Sequence, residues 1–267
     1  MATLYPSARK SLGQHFLHDP DVIARIIEAI NPKRDEAIVE IGPGQGAITA
    51  PLLDCLDQMD AVEIDKRLVP VLRKRFEPQL SLHEHDALTF DFSALSRQRN
   101  QPLRVVGNLP YNISTPLLFH LLEFKNTISD MHIMVQKEVA LRICAATGDK
   151  NYSRLTIMSG WHAHIEYLFT IGNGAFTPAP KVQSAFIRLR FRSHPPTDLI
   201  DQSASEKLVT QTFSKRLKTL FNALERQISR EQLNSLGLNP QMRAENVSME
   251  QFAALANLLS EHRHPEV

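Results

Sequence analysis

Short, nearly continuous apolar runs alternate with helix-period stretches over the first two thirds of the chain. Ala37-Ile38-Val39-Glu40-Ile41, Asp60-Ala61-Val62-Glu63-Ile64, Leu80-Ser81-Leu82, Leu103-Arg104-Val105-Val106-Gly107 and Met131-His132-Ile133-Met134-Val135 have the length and make-up of buried strands. Around them, Asp21 to Ile30, Ala47 to Leu56, Lys66 to Phe76, Thr115 to Leu122 and Lys137 to Ala145 carry helical spacing. Strands parted by helices of that length predict an α/β fold. Its sheet is mainly parallel, with helices on both faces.

The period changes further on. From Ala185 to Arg192 apolar and polar positions alternate, with Ile187, Leu189 and Phe191 facing a core and Arg188, Arg190 and Arg192 facing outward. Ser193-His194-Pro195-Pro196-Thr197 breaks that pattern and reads as a linker. Beyond it the chain is helical only. Ser229 with Gln232, and Ser248 with Gln251, have capping-box spacing before apolar runs. Two domains are therefore expected, residues 1–193 and a small all-α domain over residues 194–267.

Composition narrows the class. At 267 residues with 43% hydrophobic and 22% charged positions, the chain can bury a sizeable core. A formal net charge of +1 does not by itself mark a nucleic-acid binder, so any such affinity must come from local clustering. The two cysteines, Cys55 and Cys144, form no CxxC pair, which speaks against a disulfide framework or a structural zinc site. Met1 to Leu12 lacks the apolar stretch of a secretory signal, and no run reaches the roughly 18 apolar residues of a membrane span. The expectation is a soluble cytoplasmic protein.

Candidate chemistry begins at the first strand. Glu40-Ile41-Gly42-Pro43-Gly44-Gln45-Gly46 follows it and precedes a helical run. Glycines at such a turn let a ligand approach the backbone. The second strand ends on Glu63-Ile64-Asp65, where doubly wound folds place an acid that accepts from ribose hydroxyls. Together these describe an adenosine pocket at the carboxyl ends of the strands. Taken alone, the loop also fits a plain connecting turn. A nicotinamide enzyme would carry GxGxxG, whereas the spacing here is GxGxG. Asp86, in His85-Asp86-Ala87-Leu88, either accepts from an adenine amine or caps a helix.

After the fourth strand comes Asn108-Leu109-Pro110-Tyr111. The exocyclic amine of adenine is a poor nucleophile because its lone pair is delocalised into the ring. Two hydrogen-bond acceptors draw that lone pair back onto nitrogen. The Asn108 side-chain oxygen and the Leu109 carbonyl, stiffened by Pro110, are such a pair, and Tyr111 offers an aromatic face to a base. Methyl transfer to such an amine needs in-line positioning and no metal.

These segments, in this order, resemble the KsgA/Dim family of ribosomal RNA adenine N6,N6-dimethyltransferases, to which the Erm resistance methylases are related. The resemblance rests also on Lys10-Ser11-Leu12-Gly13-Gln14-His15-Phe16-Leu17, Asn112-Ile113-Ser114, Gln136-Lys137-Glu138-Val139, Phe176-Thr177-Pro178-Ala179-Pro180-Lys181-Val182-Gln183-Ser184 and Arg243-Ala244-Glu245-Asn246. It implies a Rossmann-like class I S-adenosylmethionine-dependent methyltransferase sheet with a helical C-terminal RNA-recognition domain. It implies that His15, Leu17, Gly42, Gly44, Glu63, Asp86 and Asn108 surround S-adenosylmethionine, and that Asn108, Leu109, Pro110, Tyr111 and Phe176 surround the target adenine. The substrate it implies is a pair of adjacent adenosines near the 3′ end of 16S rRNA in the immature small ribosomal subunit, acted on by a monomer without metal. Two departures are visible: His15 stands where relatives often carry Asn, and Phe213-Ser214-Lys215-Arg216-Leu217-Lys218-Thr219-Leu220 varies the family's usual Gln-Arg-Arg-Lys-Thr pattern while keeping its positive charge.

Other features divide between chemistry and packing. Phe176, beside Pro178 and Pro180, is expected to face Tyr111 and sandwich a flipped base. Lys215, Arg216 and Lys218 are expected to contact RNA. Arg9-Lys10, Arg73-Lys74-Arg75 and the Arg188–Arg192 face fit solvated surfaces better than RNA contacts. His162 and His164 lack partners in ligand register, so no metal site is proposed there. His262-Arg263-His264 reads as a tail. Rival functions are a large-subunit rRNA activity of the Erm kind, against which Arg243-Ala244-Glu245-Asn246 argues, and an RNA-binding assembly factor without catalysis. A dehydrogenase is disfavoured by the glycine spacing.

Overall fold

The computed structural model describes residues 6–193, 201–224 and 227–261. The chain divides into two compact units. One runs to Ala140 and resumes over Ile165–Phe191; the other comprises Leu141–His164 and the chain from Arg192 onward.

The first unit is an α/β sheet. Its strands are β1 (Phe16–Leu17), β2 (Ala37–Ile41), β3 (Met59–Glu63), β4 (Leu80–Glu84), β5 (Leu103–Asn108), β6 (Ile128–Gln136), β7 (Ala163–Ile171), β8 (Phe176–Thr177) and β9 (Ser184–Phe191). Seven of them form one sheet in the order β4-β3-β2-β5-β6-β9-β7, while β1 and β8 pair separately. Strands β2 to β6 run parallel and β9 lies antiparallel to β6. After β4 the chain returns to β5 on the other side of β2. Strand order thus reverses between β2 and β5, which opens a crevice at their carboxyl ends.

Local chemistry explains the elements. The helix Pro20–Ile30 starts on proline, and the Asp19 carboxylate before it accepts from the amides of Asp21 and Val22 at 3.0 and 3.1 Å. It ends at Asn31 in the left-handed region with φ +47°. Its Ile26 and Ile30 are buried against Ile38, Leu52, Ala61 and Leu72. Strands β2 and β3 are buried along their whole length, as parallel strands covered on both faces should be.

The second unit is helical. Tyr152, Ile157 and Trp161, around the helix Arg154–His162, pack with Leu220, Leu233, Val247 and Phe252. Both expected capping boxes form: Ser229 with Gln232, and Ser248 with Gln251. The division differs from a single cut after residue 193, because residues 141–164 supply core side chains to the helical unit. Linker residues 194–197, the start of the expected second domain, and His262-Arg263-His264 lie outside the described residues.

Five strands and α-helices of the first two thirds were unassigned from sequence: the short strands β1 and β8, the helix Phe92–Arg99, the helix Arg154–His162 and the strand β7. The last two adjoin directly at His162 and Ala163, with no intervening turn. The arginine face of β9 is also not a bare solvated stripe. Arg188 and Arg190 both pair with Glu166 of β7.

Trp161 is the only tryptophan, and it lies in the helical core, so its emission reports on that unit. Phe252→Ala should lower the midpoint of fluorescence-detected denaturation and cost about 3–5 kcal/mol, the usual penalty for emptying a buried aromatic site. An unchanged midpoint would show that this cluster does not hold the unit together.

Candidate active site

A cavity opens at the carboxyl ends of β2, β3 and β5, and residues 12–17 form a further wall. Three motifs converge on it from different parts of the chain.

The glycine loop is the floor. Gly42, Gly44 and Gly46 hold φ of +67°, +59° and +82°, a region that side chains rarely enter. At Gly46 a Cβ would also stand 2.6 Å from the Phe76 ring. The loop is tied by the Gly42 amide donating to Val62 at 2.9 Å and by Arg75 Nη1 donating to the Gln45 carbonyl at 3.1 Å.

Acids line the next wall. Glu63 ends β3, buried, with its Oε1 accepting from the Asp65 amide at 2.8 Å. Burial raises its pKa against that hydrogen bonding. Asp86 lines the same cavity, and its Oδ1 accepts from the Leu88 amide at 2.9 Å, so cavity lining and turn capping coincide in one residue. Glu40 was not singled out from sequence. It is only 2% exposed, lines the cavity and accepts from Thr49 Oγ1 at 2.5 Å. Burial, with Glu63 nearby, pushes its pKa up to about 7. The available signal was a lone carboxylate inside an otherwise apolar buried strand. Among the described residues no lysine or arginine lines the cavity, whereas Glu40, Glu63 and Asp86 do.

The third motif sits at the end of β5. Asn108 Nδ2 donates to the His15 carbonyl at 3.0 Å, which pins the amide and keeps Oδ1 as its acceptor. Leu109 is buried, its amide donating to Met134 at 3.0 Å, and Pro110 and Tyr111 continue along the cavity. The Tyr111 hydroxyl is hydrogen-bonded to Ser184, and burial raises its pKa. His15 stacks on the Tyr111 ring with centroids 5.5 Å apart. Its Nδ1 donates to the Pro178 carbonyl at 2.7 Å; a carbonyl only accepts, so this nitrogen carries the proton.

His15, Leu17, Gly42, Gly44, Glu63, Asp86, Asn108, Leu109, Pro110 and Tyr111 are thus brought together around one cavity. Phe176 is not. It pairs with Leu17 across β1 and β8, is 3% exposed and joins the hydrophobic core. The expected sandwich with Tyr111 is not formed here: Phe176 sits among core side chains, and the ring stacked on Tyr111 is His15. Lys215, Arg216 and Lys218 lie in the helical unit, just after the helix Gln202–Ser214. There Arg216 donates to Glu245 at 2.8 Å and to the Lys150 carbonyl at 2.7 Å.

A mixed seven-stranded sheet of this order, with a glycine turn and a strand-end acid at its switch point, is that of a class I methyltransferase. Residues 6–261 match the family described as ribosomal RNA adenine dimethylase, and the chain belongs to that family. A relative from Marinobacter nauticus, named ribosomal RNA small subunit methyltransferase A, is 50% identical over 95% of this chain and 92% of its own. One of the same name from Pseudomonas aeruginosa is 46% identical over 98% of each. Among solved structures, a dimethyladenosine transferase from Plasmodium falciparum superposes with a TM-score of 0.78 at 27% identity, covering 94% of this chain and 98% of the other. The 23S rRNA methyltransferase ErmE does so at 0.71 and 30%, covering 92% and 99%.

The raised pKa of Glu40 predicts a pH signature. Its folded-state pKa lies above the ordinary 4.5, so the stability it contributes is complete below 4.5 and is lost as pH rises through about 7. Between about pH 5 and pH 8 the unfolding free energy should therefore fall by roughly 2–3 kcal/mol more in the wild type than in Glu40→Gln. Denaturant titrations at the two pH values that gave equal changes would show Glu40 to be ordinary.

Proposed function

We propose that this chain transfers methyl groups from S-adenosylmethionine to the N6 amines of two adjacent adenosines, in the hairpin loop near the 3′ end of 16S rRNA. Its target is the immature small ribosomal subunit, and it acts as a monomer in the cytoplasm during ribosome biogenesis. The observation that carries the chemistry is the pinned Asn108 amide at the mouth of an acid-lined nucleoside cavity. Choice of the small subunit is supported by full-length relatives of that name at 46–50% identity, against 30% for the large-subunit enzyme ErmE.

The residues fit the cofactor. Positive-φ glycines admit the ligand to the backbone, and three carboxylates without a facing lysine or arginine suit a cation. A dinucleotide would bring its pyrophosphate against those same acids. S-adenosylmethionine, when bound, supplies the electrophilic methyl group. Glu63 would accept from the ribose hydroxyls and Asp86 from the adenine amine. Asn108 Oδ1 and the Leu109 carbonyl would accept from the two N6 hydrogens and localise the lone pair, with Tyr111 beside the base. This preorganised polarity needs no metal.

Asn108→Ala should lower the single-turnover rate of methyl transfer by about 10²–10³, as loss of one preorganised polar group commonly does. RNA affinity should hardly change. Rates on unmethylated small-subunit particles beside separate binding titrations decide it, and near-normal turnover would make the tetrapeptide a structural turn.

The helical unit carries the RNA-recognition part of the reading, through Lys215 and Lys218. Replacing both with Ala should reduce the slope of log affinity against log salt by roughly 1.5, whereas Arg216→Ala should leave the slope unchanged. Equal slopes in wild type and the lysine variant would assign these residues to a solvated surface.

A further inference from the structure

Asp65 lies two residues past the ribose acid and does not itself line the cavity. Its carboxylate is nevertheless fully buried, with side-chain exposure of 0%. It accepts from Arg67 Nη2 at 2.6 Å, from Arg67 Nε at 2.9 Å and from Gln14 Nε2 at 2.9 Å. A buried charge that meets two partners so closely is held in one orientation. Arg67 and Gln14 keep its pKa down at about 2, so the group stays ionised throughout any working range.

The far side of Gln14 is equally constrained. Its Oε1 accepts from the Arg9 amide at 2.8 Å, while Arg67 Nη1 reaches the Ser7 carbonyl at 3.3 Å. The segment from Ser7 to Gln14 is thereby fastened to the end of β3. The very next peptide carbonyl, that of His15, is the one that accepts from Asn108 Nδ2. A continuous path therefore runs from Asp65 through the Gln14 side chain and one peptide to the amide at the reaction centre. The Asn108 amide has two rotations about its last bond, and only one turns oxygen towards a substrate amine. The His15 carbonyl selects that rotation because a carbonyl cannot donate.

We propose that Asp65 and Gln14 are positioning residues for methyl transfer: together they place the His15 carbonyl that orients the Asn108 amide. This rests on the reading of Asn108 as the acceptor for the target amine. Gln14→Glu is the informative change, since it sets a second carboxylate against Asp65 while keeping the acceptor for Arg9. Asp65→Asn combined with Gln14→Glu restores an N–H···O contact between the two in the reverse sense.

At saturating S-adenosylmethionine and RNA, Gln14→Glu should slow single turnover roughly ten- to a hundredfold, the scale set by small misplacements of a reacting group. Thermal stability should change little, and the double variant should recover most of the rate. In the Asn108→Ala background Gln14→Glu should slow the reaction less than about twofold, because residues acting through one group are not additive. A merely structural strap would give the same fold-loss in both backgrounds, and that result overturns the assignment. So does a normal rate in Gln14→Glu, a loss that follows melting temperature alone, or no recovery in the double variant. Asn108→Ala measured by itself separates the two readings: normal turnover there removes the Asn108 role and this one with it, whereas a slow Asn108→Ala beside a normal Gln14→Glu removes only this one.

Discussion

The hydrogen bond from Asn108 Nδ2 to the His15 carbonyl is the contact on which the rest of the site depends. It joins the end of β5 to a segment 93 residues earlier in the chain, and it decides which way a symmetric-looking amide faces. Without it the Asn108 amide would lose the contact that fixes its orientation. The sheet supports that contact from below by ending β2, β3 and β5 at a common edge. The N-terminal segment supports it from above through Gln14, and through His15 stacked on Tyr111 and bonded to Pro178.

Charge gives the cavity its selectivity. Burying Glu40 and Glu63 in one cavity is costly, and the cost appears as a raised pKa on each. Among the described residues no lysine or arginine lines the cavity to relieve it. A cationic ligand would relieve it, in keeping with the S-adenosylmethionine use that the methyltransferase family implies. The same reasoning separates Asp65 from its neighbours. It is buried as deeply, but Arg67 and Gln14 stabilise its charge, so its pKa moves the opposite way. Acids only a few positions apart thus serve opposite ends, one poised for a ligand and one for holding the chain.

Arginine follows a comparable rule. Arg188 and Arg190 converge on Glu166, and Arg216 is engaged by Glu245 and Lys150. Each of them is paired within its own unit. The pairing of Arg216 with Glu245 also accounts for the Arg243-Ala244-Glu245-Asn246 segment as an internal brace of the helical unit. Basic residues close in sequence therefore differ in what they can bind, since a guanidinium already committed to a carboxylate has less to offer a phosphate.

What the sequence determined by itself is what short-range physics encodes. The strand cores from Ala37 to Val135, the glycine turn with its positive φ, the acid closing β3 and the two capping boxes all rest on period, backbone freedom or hydrogen bonds a few residues long. Ten of the expected site residues could be named because each lies within a motif at a strand end or in the N-terminal segment, and parallel strands bring their ends together. Tertiary structure alone decided the remainder. Whether Phe176 meets a base or the core depends on its pairing with Leu17, 159 residues away in numbering. That Arg216 meets Glu245 is a matter of tertiary pairing, and Glu40 became a cavity residue only where β2 ended beside Glu63. The helix and strand meeting at His162 escaped notice because their packing partners, not their own pattern, choose the conformation. Burial and pairing are properties of the assembled chain, and no local pattern reports which of two suitable partners a side chain will meet.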